Sequence, residues 1–245
     1  MNITHATTRP RALVALAAAT AAALALTGCV SLPGPLAGPR VETDHEVSDA
    51  VHALRLETAG DVEVRLGDEP GLSIRAPKSV SDRLTVREHD GTLVLGISGA
   101  GWTSGNVDYV LTVLSFDELD LTGAGDVTAD FSDAESVAIT VGGAGDVRAT
   151  DLDARDVVIR VTGAGSVRVD GSADSGDFVV TGAGSISAGE LEVRDAQAEI
   201  TGAGDIHVHA SDTLDAVISG LGDIRVSGGA RVTSDISGLG DVVED

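Results

Sequence analysis

The sequence predicts an all-β protein wound as a parallel β-helix, with one coil for every 18–20 residues. Three observations predict it. A short phrase recurs seven times, at Gly123-Ala-Gly-Asp126, Gly143-Ala-Gly-Asp146, Gly163-Ala-Gly-Ser166, Gly182-Ala-Gly-Ser185, Gly202-Ala-Gly-Asp205, Gly220-Leu-Gly-Asp223 and Gly238-Leu-Gly-Asp241. Self-similarity at about 20 residues marks a stacked solenoid. Each copy is flanked at fixed offsets by aliphatic, mostly β-branched residues. Glycine supplies 31 of 245 residues, nearly twice the usual share of roughly 7%.

The chain divides into four stretches. Residues 1–28 read as a lipoprotein signal peptide. Met1 to Arg11 carry Arg9 and Arg11 and no acid, and Ala12 to Ala25 form an almost unbroken Ala/Leu/Val run. A run of about 14 apolar residues is too short to span a bilayer stably and fits a secretory segment. It ends in Leu26-Thr27-Gly28-Cys29, which resembles a bacterial lipobox. The resemblance implies cleavage before Cys29 and diacylglyceryl modification of its thiol. Acyl chains such as palmitate contribute roughly 0.8 kcal/mol per buried CH₂, enough in pairs to hold a protein at a membrane surface. Cys29 is the only cysteine, so no internal disulfide forms. Residues 29–43 contain Pro33, Pro35 and Pro39 with Gly34 and Gly38 between them, the composition of an extended tether.

Residues 44–245 are expected to be the β-helix itself, with irregular coils over 44–115 and regular repeats over 116–245. Two residues before the first glycine of each repeat stand Leu121, Val141, Val161, Val180, Ile200, Ile218 and Ile236; four after it stand Val127, Val147, Val167, Ile186, Ile206, Ile224 and Val242. The alternation has period two, so these are strands with one buried face. The period, the glycines and the β-branching exclude helix. Ala59-Gly60-Asp61-Val62 reads as an earlier, diverged rung. By parity both repeat glycines fall on the inward face, which suits a bend without room for a Cβ or a need for φ > 0. A two-residue hairpin would shift the parity, whereas a three-residue hairpin loop keeps an antiparallel meander open as the alternative.

The lipobox, the short alternating strands of 51–114 and Leu119-Asp-Leu-Thr-Gly-Ala-Gly-Asp-Val127 with its successors together resemble the bacterial auto-transporter adhesin head GIN domain. The resemblance covers roughly residues 44–245. It implies a right-handed β-helix and, in function, surface binding without a defined biochemical activity.

Lys and Arg number 16 against 39 Asp and Glu, a net charge of −23. That excludes a nucleic-acid footprint, which needs a basic surface. The aromatics are only Trp102, Tyr109, Phe116, Phe131 and Phe178, too few for a stacking platform. No P-loop, dinucleotide fingerprint or Ser-His-Asp context is present, so neither an enzyme nor a bound cofactor is expected. Asp126, Asp146, Asp205, Asp223 and Asp241, with Ser166 and Ser185, form a polar ladder along one edge. Short polar side chains cap backbone amides at bends, which is the favoured role. The contrasting role is a cation ladder, since calcium takes six to eight oxygens and Thr122, Thr162, Thr181, Thr201, Ser219 and Ser237 run beside the acids. Arg148, Arg168, His207 and Arg225 lie two residues beyond the ladder, placed to relieve its repulsion. His207 and His209 could pair on a metal, though solvation suits them better. Trp102, in the Gly99–Gly105 loop, is expected to cover an open coil end.

The reading is a lipid-anchored, non-enzymatic protein on the outer side of a bacterial cell membrane, its partners being the membrane and an envelope protein or glycan. The alternatives are an envelope polysaccharide-active enzyme and a purely structural spacer. The apolar columns generate one direct expectation. Val161→Asp places an unpaired charge in the stack and lowers stability by about 3 kcal/mol or more, measured by urea denaturation followed by circular dichroism.

Overall fold

The computed structural model describes residues 39–99 and 107–245. The signal segment, Cys29 and Trp102 lie outside the described residues. The strands follow in order: β1 (Arg40–Glu46), β2 (Ala53–Leu56), β3 (Asp61–Leu66), β4 (Gly71–Pro77), the single-turn α1 (Lys78–Ser81), β5 (Leu84–His89), β6 (Thr92–Ile97), β7 (Asp108–Val113), β8 (Glu118–Leu121), β9 (Val127–Asp130) and β10 (Ser136–Val141). Then come β11 (Ala144–Val161), β12 (Ala164–Val180), β13 (Ser185–Ile200), β14 (Ile206–Ile218), β15 (Ile224–Ser227), β16 (Arg231–Ile236) and β17 (Val242–Glu244).

Each rung runs along one flank, turns at a Gly-x-Gly corner and returns along a second flank. The first flank stacks β2, β8, β10, the C-terminal parts of β11 to β14, and β16, all parallel. The second stacks β3, β9, the N-terminal parts of β11 to β14, β15 and β17, again parallel. The result is a β-solenoid of about six turns. The antiparallel meander is therefore ruled out for the repeats.

The alternating pattern explains the core. Leu121, Val141, Val161, Val180, Ile200 and Ile218 are all fully buried, and Val127, Val147, Val167, Ile186, Ile206 and Ile224 face them across the coil. Burying each such side chain contributes roughly 1.5–3 kcal/mol, so the two columns dominate the stability of every rung. Phe116 and Phe131, both fully buried, pack with ring centroids 5.0 Å apart where the chain passes between flanks.

The corner corrects the parity argument. The missing side chains would strike the preceding rung first, although at Gly165 and Gly184 they would also meet the core side chains of Val141 (3.1 Å) and Val161 (2.8 Å). A Cβ on Gly143 would stand 1.8 Å from the carbonyl oxygen of Gly123, and one on Gly125 would stand 2.1 Å from that of Gly60. The glycine hydrogens face along the stack, against the preceding rung. At Gly125 the backbone also takes φ +133°, so both reasons for glycine apply there.

The N-terminal part departs from a simple succession of coils. The rung β2–β3 is covered on one side by β8–β9 and on the other by β6–β7, which come later in the chain. Ala59 bridges Ala124 in parallel, so the diverged rung at Ala59 to Val62 is real. Beyond β6 and β7 the pairing turns antiparallel, with β5 on β6, β4 on β7 and β1 on β4. These strands close this end by reversal, leaving β5 and β1 each paired on one side only among the described residues. The folded body also takes in residues 40–43, which composition assigned to the tether. Arg40 pairs with Pro77 and Thr43 with Ile74, so the strand begins directly after the last proline of the Pro/Gly-rich stretch.

Neighbouring glycines make a sharp test of the corner. A Cβ on Gly142 meets nothing nearer than Thr162 Oγ1 at 3.5 Å, in a gap of the Thr/Ser column. Gly142→Thr is expected to stabilise by about 0.5 kcal/mol through the unfolded chain, and Gly143→Ala to cost at least about 2 kcal/mol through the backbone clash. Urea midpoints of the two variants measure both.

Candidate functional site

The repeat places identical polar positions one above another, so the outward columns are the candidate surface. The Asp/Ser ladder begins earlier than the sequence suggested. Asp61 pairs in register with Asp108, so the column reads Asp108, Asp61, Asp126, Asp146, Ser166, Ser185, Asp205, Asp223, Asp241. Its chemistry is specific. The amide of Asp126 donates to Asp61 Oδ1 (3.2 Å), that of Asp146 to Asp126 Oδ1 (3.1 Å), that of Ser166 to Asp146 Oδ1 (3.2 Å), that of Asp223 to Asp205 Oδ1 (2.9 Å) and that of Asp241 to Asp223 Oδ1 (2.9 Å). Each carboxylate thus caps an amide of the next rung and not of its own bend. Two unit charges ~4.8 Å apart in water repel by about 0.9 kcal/mol, and a hydrogen bond accepted by a charged group offsets this.

The basic column does not serve the ladder. Arg148 turns to Asp170 at 3.7 Å, and Arg168 turns to Glu190. Both guanidiniums reach acids farther along the same flank, where the chain leaves for the next rung. The hydroxyl column is likewise turned to its own neighbours. Thr122 Oγ1 donates to the Leu56 carbonyl, and Ser237 Oγ to Ser219 Oγ. His209 Nδ1 meets Ser227 Oγ at 3.2 Å, while the His207 ring lies over Gly189. Among the described residues no three His, Cys, Asp or Glu side chains come together as a metal site. None of the helices described is long and apolar enough to cross a membrane.

A second polar column lies on the first flank, seven residues before the first glycine of the second to seventh repeats. It reads Ser136, Asp156, Ser175, Asp195, Thr213 and Arg231, in continuous register. Ser175 Oγ donates to Asp156 Oδ1 (2.6 Å) and Thr213 Oγ1 to Asp195 Oδ1 (2.7 Å). The Thr213 hydroxyl and the Arg194 guanidinium hold the Asp195 carboxyl below its ordinary range. With Asp177, Gln197 and Asp215 beside it, this column borders a shallow cleft of about 390 Å³. Another cleft, of about 490 Å³, lies on the ladder face between Asp61, Glu63, Asp108, Asp126 and Thr128. Arg40 pairs with Asp108 at the end of that column. In the first cleft the acids of each column stand two rungs apart, with Ser175 between Asp156 and Asp195 and Gln197 between Asp177 and Asp215; in the second, Asp108, Asp61 and Asp126 stand one rung apart. The second column stands at a fixed offset in the sequence, but its mixture of Ser, Asp, Thr and Arg carries no invariant residue to mark it. Tyr109 is buried beneath β3, and burial pushes its phenol well above the usual range.

Comparison with known proteins adds the following. The family described as "Putative auto-transporter adhesin, head GIN domain" matches residues 51–230. A crystal structure of a putative adhesin from Bacteroides fragilis is 22% identical with TM-score 0.81, covering 84% of this chain and 97% of that one. A putative adhesin from Parabacteroides merdae is 18% identical with TM-score 0.64, covering 85% and 97%. A putative lipid binding protein from Parabacteroides distasonis is 19% identical with TM-score 0.63, covering 85% and 97%. No curated protein matches the chain.

The ladder geometry separates acceptor from charge. Asp146→Ala removes the partner of the Ser166 amide and is expected to cost about 1 kcal/mol. Asp146→Asn keeps an acceptor oxygen and is expected to cost less than half of that. Thermal melts with and without millimolar calcium read both effects, and an unchanged melt with calcium marks the column as structural.

Proposed function

The chain belongs to the auto-transporter adhesin head GIN domain family, and from that premise we propose that it is a lipid-anchored surface protein whose rigid acidic solenoid binds without catalysing a reaction. The observation that carries this reading is the regularity of the outward faces. Their acids and hydroxyls bond to one another in columns along the stack, as at Ser175–Asp156 and Thr213–Asp195. A hydrolase acting on glycans needs an acid and a base converging on one bond, whereas a binding rod needs a stiff, repeated surface.

Cys29 is the lipid attachment point in this reading, after removal of residues 1–28, and the protein sits on the extracytoplasmic side of a bacterial cell membrane. The Pro/Gly-rich stretch from Cys29 to Pro39 supports it as a spacer. Losing Arg9 and Arg11 with the signal peptide leaves the body more acidic still, so anionic lipid repels it and the acyl chains carry the attachment alone. The partner is an envelope protein or a glycan. The two clefts, both edged by carboxylates and hydroxyls, favour a polar, neutral or cationic ligand over an anionic one.

Expression in a bacterial host with radiolabelled palmitate tests the attachment. The native chain should carry label and sediment with membranes; Cys29→Ala should lose the label and appear in the soluble fraction. Label-free native protein in the soluble fraction would refute the anchor. Binding of immobilised envelope glycans and proteins, lost when Asp156, Asp177 and Asp195 are replaced by Asn together, tests the surface.

A further inference from the structure

Six large hydrophobic side chains are exposed among the described residues, and five belong to the last two rungs: Val217, Leu221, Ile236, Leu239 and Val243. Leu221 and Leu239 occupy the corner position that alanine holds at 124, 144, 164, 183 and 203. Leu239 is 74% exposed. Ile236 continues the column of Val180, Ile200 and Ile218, which are fully buried, yet it is 43% exposed. Among the described residues β16 and β17 pair on one side only. Val217 and Val243 lie on the outward faces of the two flanks, while Ile236 and Leu239 stand on the last rung itself; apolar exposure at this edge of an otherwise acidic body marks an interaction surface.

We propose that this end of the solenoid is an interface with a second copy of the chain, the two joined about a two-fold axis that runs along the strand direction. In that arrangement β16 of each copy lies antiparallel beside β17 of the other, and corner stacks on corner. Such a contact is self-complementary and closes at two copies. The side chains match when Ile236 falls opposite the partner's Val242. Both are on inward faces, as their register with Ile218 and Ile224 fixes. Ser234 then faces the partner's Glu244, hydroxyl to carboxylate. Arg231, the one cation of this edge, lies diagonally from the partner's Asp245, within the reach of long side chains across strands. At the corner Leu239 meets the partner's Leu239, extending the Leu221–Leu239 stack that already exists within one chain. The other two-fold arrangement, β17 against β17, would bring together the Asp241, Glu244 and Asp245 carboxylates of both copies and is disfavoured by like charge. The inference is independent of lipidation at Cys29.

A single introduced thiol tests it. In full-length protein solubilised in mild detergent and carrying Cys29→Ser, Leu239→Cys should form a disulfide-linked dimer in high yield on mild oxidation. Leu114→Cys, at another exposed leucine (43% against 74% for Leu239) and remote from this end, should not. By sedimentation, Ile236→Asp should weaken self-association by roughly tenfold or more with circular dichroism unchanged, and moderate salt should strengthen the native dimer by screening its net charge. Should Ile236→Asp lose its fold, the Leu239→Cys and Leu114→Cys comparison decides alone, since both positions are on the surface. Monomeric native protein at roughly 100 µM, or equal cross-linking at both positions, would overturn the proposal. So would uptake of the native chain onto phosphatidylcholine vesicles without dimer formation, which would assign the patch to lipid.

Discussion

Backbone meets backbone at every corner, with a glycine α-carbon seated against the carbonyl of the rung before it. The contact at Gly143 and Gly123 leaves no space for even a methyl group. Because the corners cannot slide or separate, the rungs on either side are held in fixed register, and everything else follows from that register. The aliphatic positions two before and four after the first glycine come to lie in unbroken columns. The polar positions between them come to lie in columns too, facing water.

Fixed register also explains how so acidic a protein stays compact. With a net charge of −23, an irregular surface would leave its carboxylates repelling one another without compensation. Here an acid in one rung meets an amide, a hydroxyl or a guanidinium in the next: Asp126 the Asp146 amide, Asp195 the Thr213 hydroxyl, Asp177 the Arg160 guanidinium. Repulsion between two neighbouring acids of the ladder remains smaller than the burial of a single valine. The family's adhesin description agrees with a surface whose chemistry is spread along a rod.

The repeat region was legible because its signal is local. Val161 and Val180 could be placed in the core from their distance to Gly163 and Gly182 alone, and the Asp/Ser ladder from the same spacing. The cap was not legible for the opposite reason. Nothing near Thr92 to Ile97 marks that segment as the neighbour of Ala53 to Leu56; the pairing depends on contacts about 40 residues apart and on the reversal at Asp90-Gly91, where φ is positive at both residues. The destinations of Arg148 and Arg168 were missed because a long side chain chooses among several acids, and the nearest in sequence is not the nearest in space. The function of the glycines was half legible. Their positions announced a constraint, but only coordinates show that the first obstacle is the backbone of the rung below.

The intercalated rung has a kinetic consequence. Within the repeats, each new pairing closes a loop of 18–20 residues, as between Asp126 and Asp146. Seating β2–β3 against β8–β9 closes one of 65, as between Asp61 and Asp126. Loop-closure entropy makes this only about 1 kcal/mol costlier, but pairing over long separations slows folding far more than it weakens the product. The repeats can therefore zip together from any nucleus while the cap still searches for its partners. The end built from β1, β4 and β5 is the last to mature and, by the same path reversed, the first to fray.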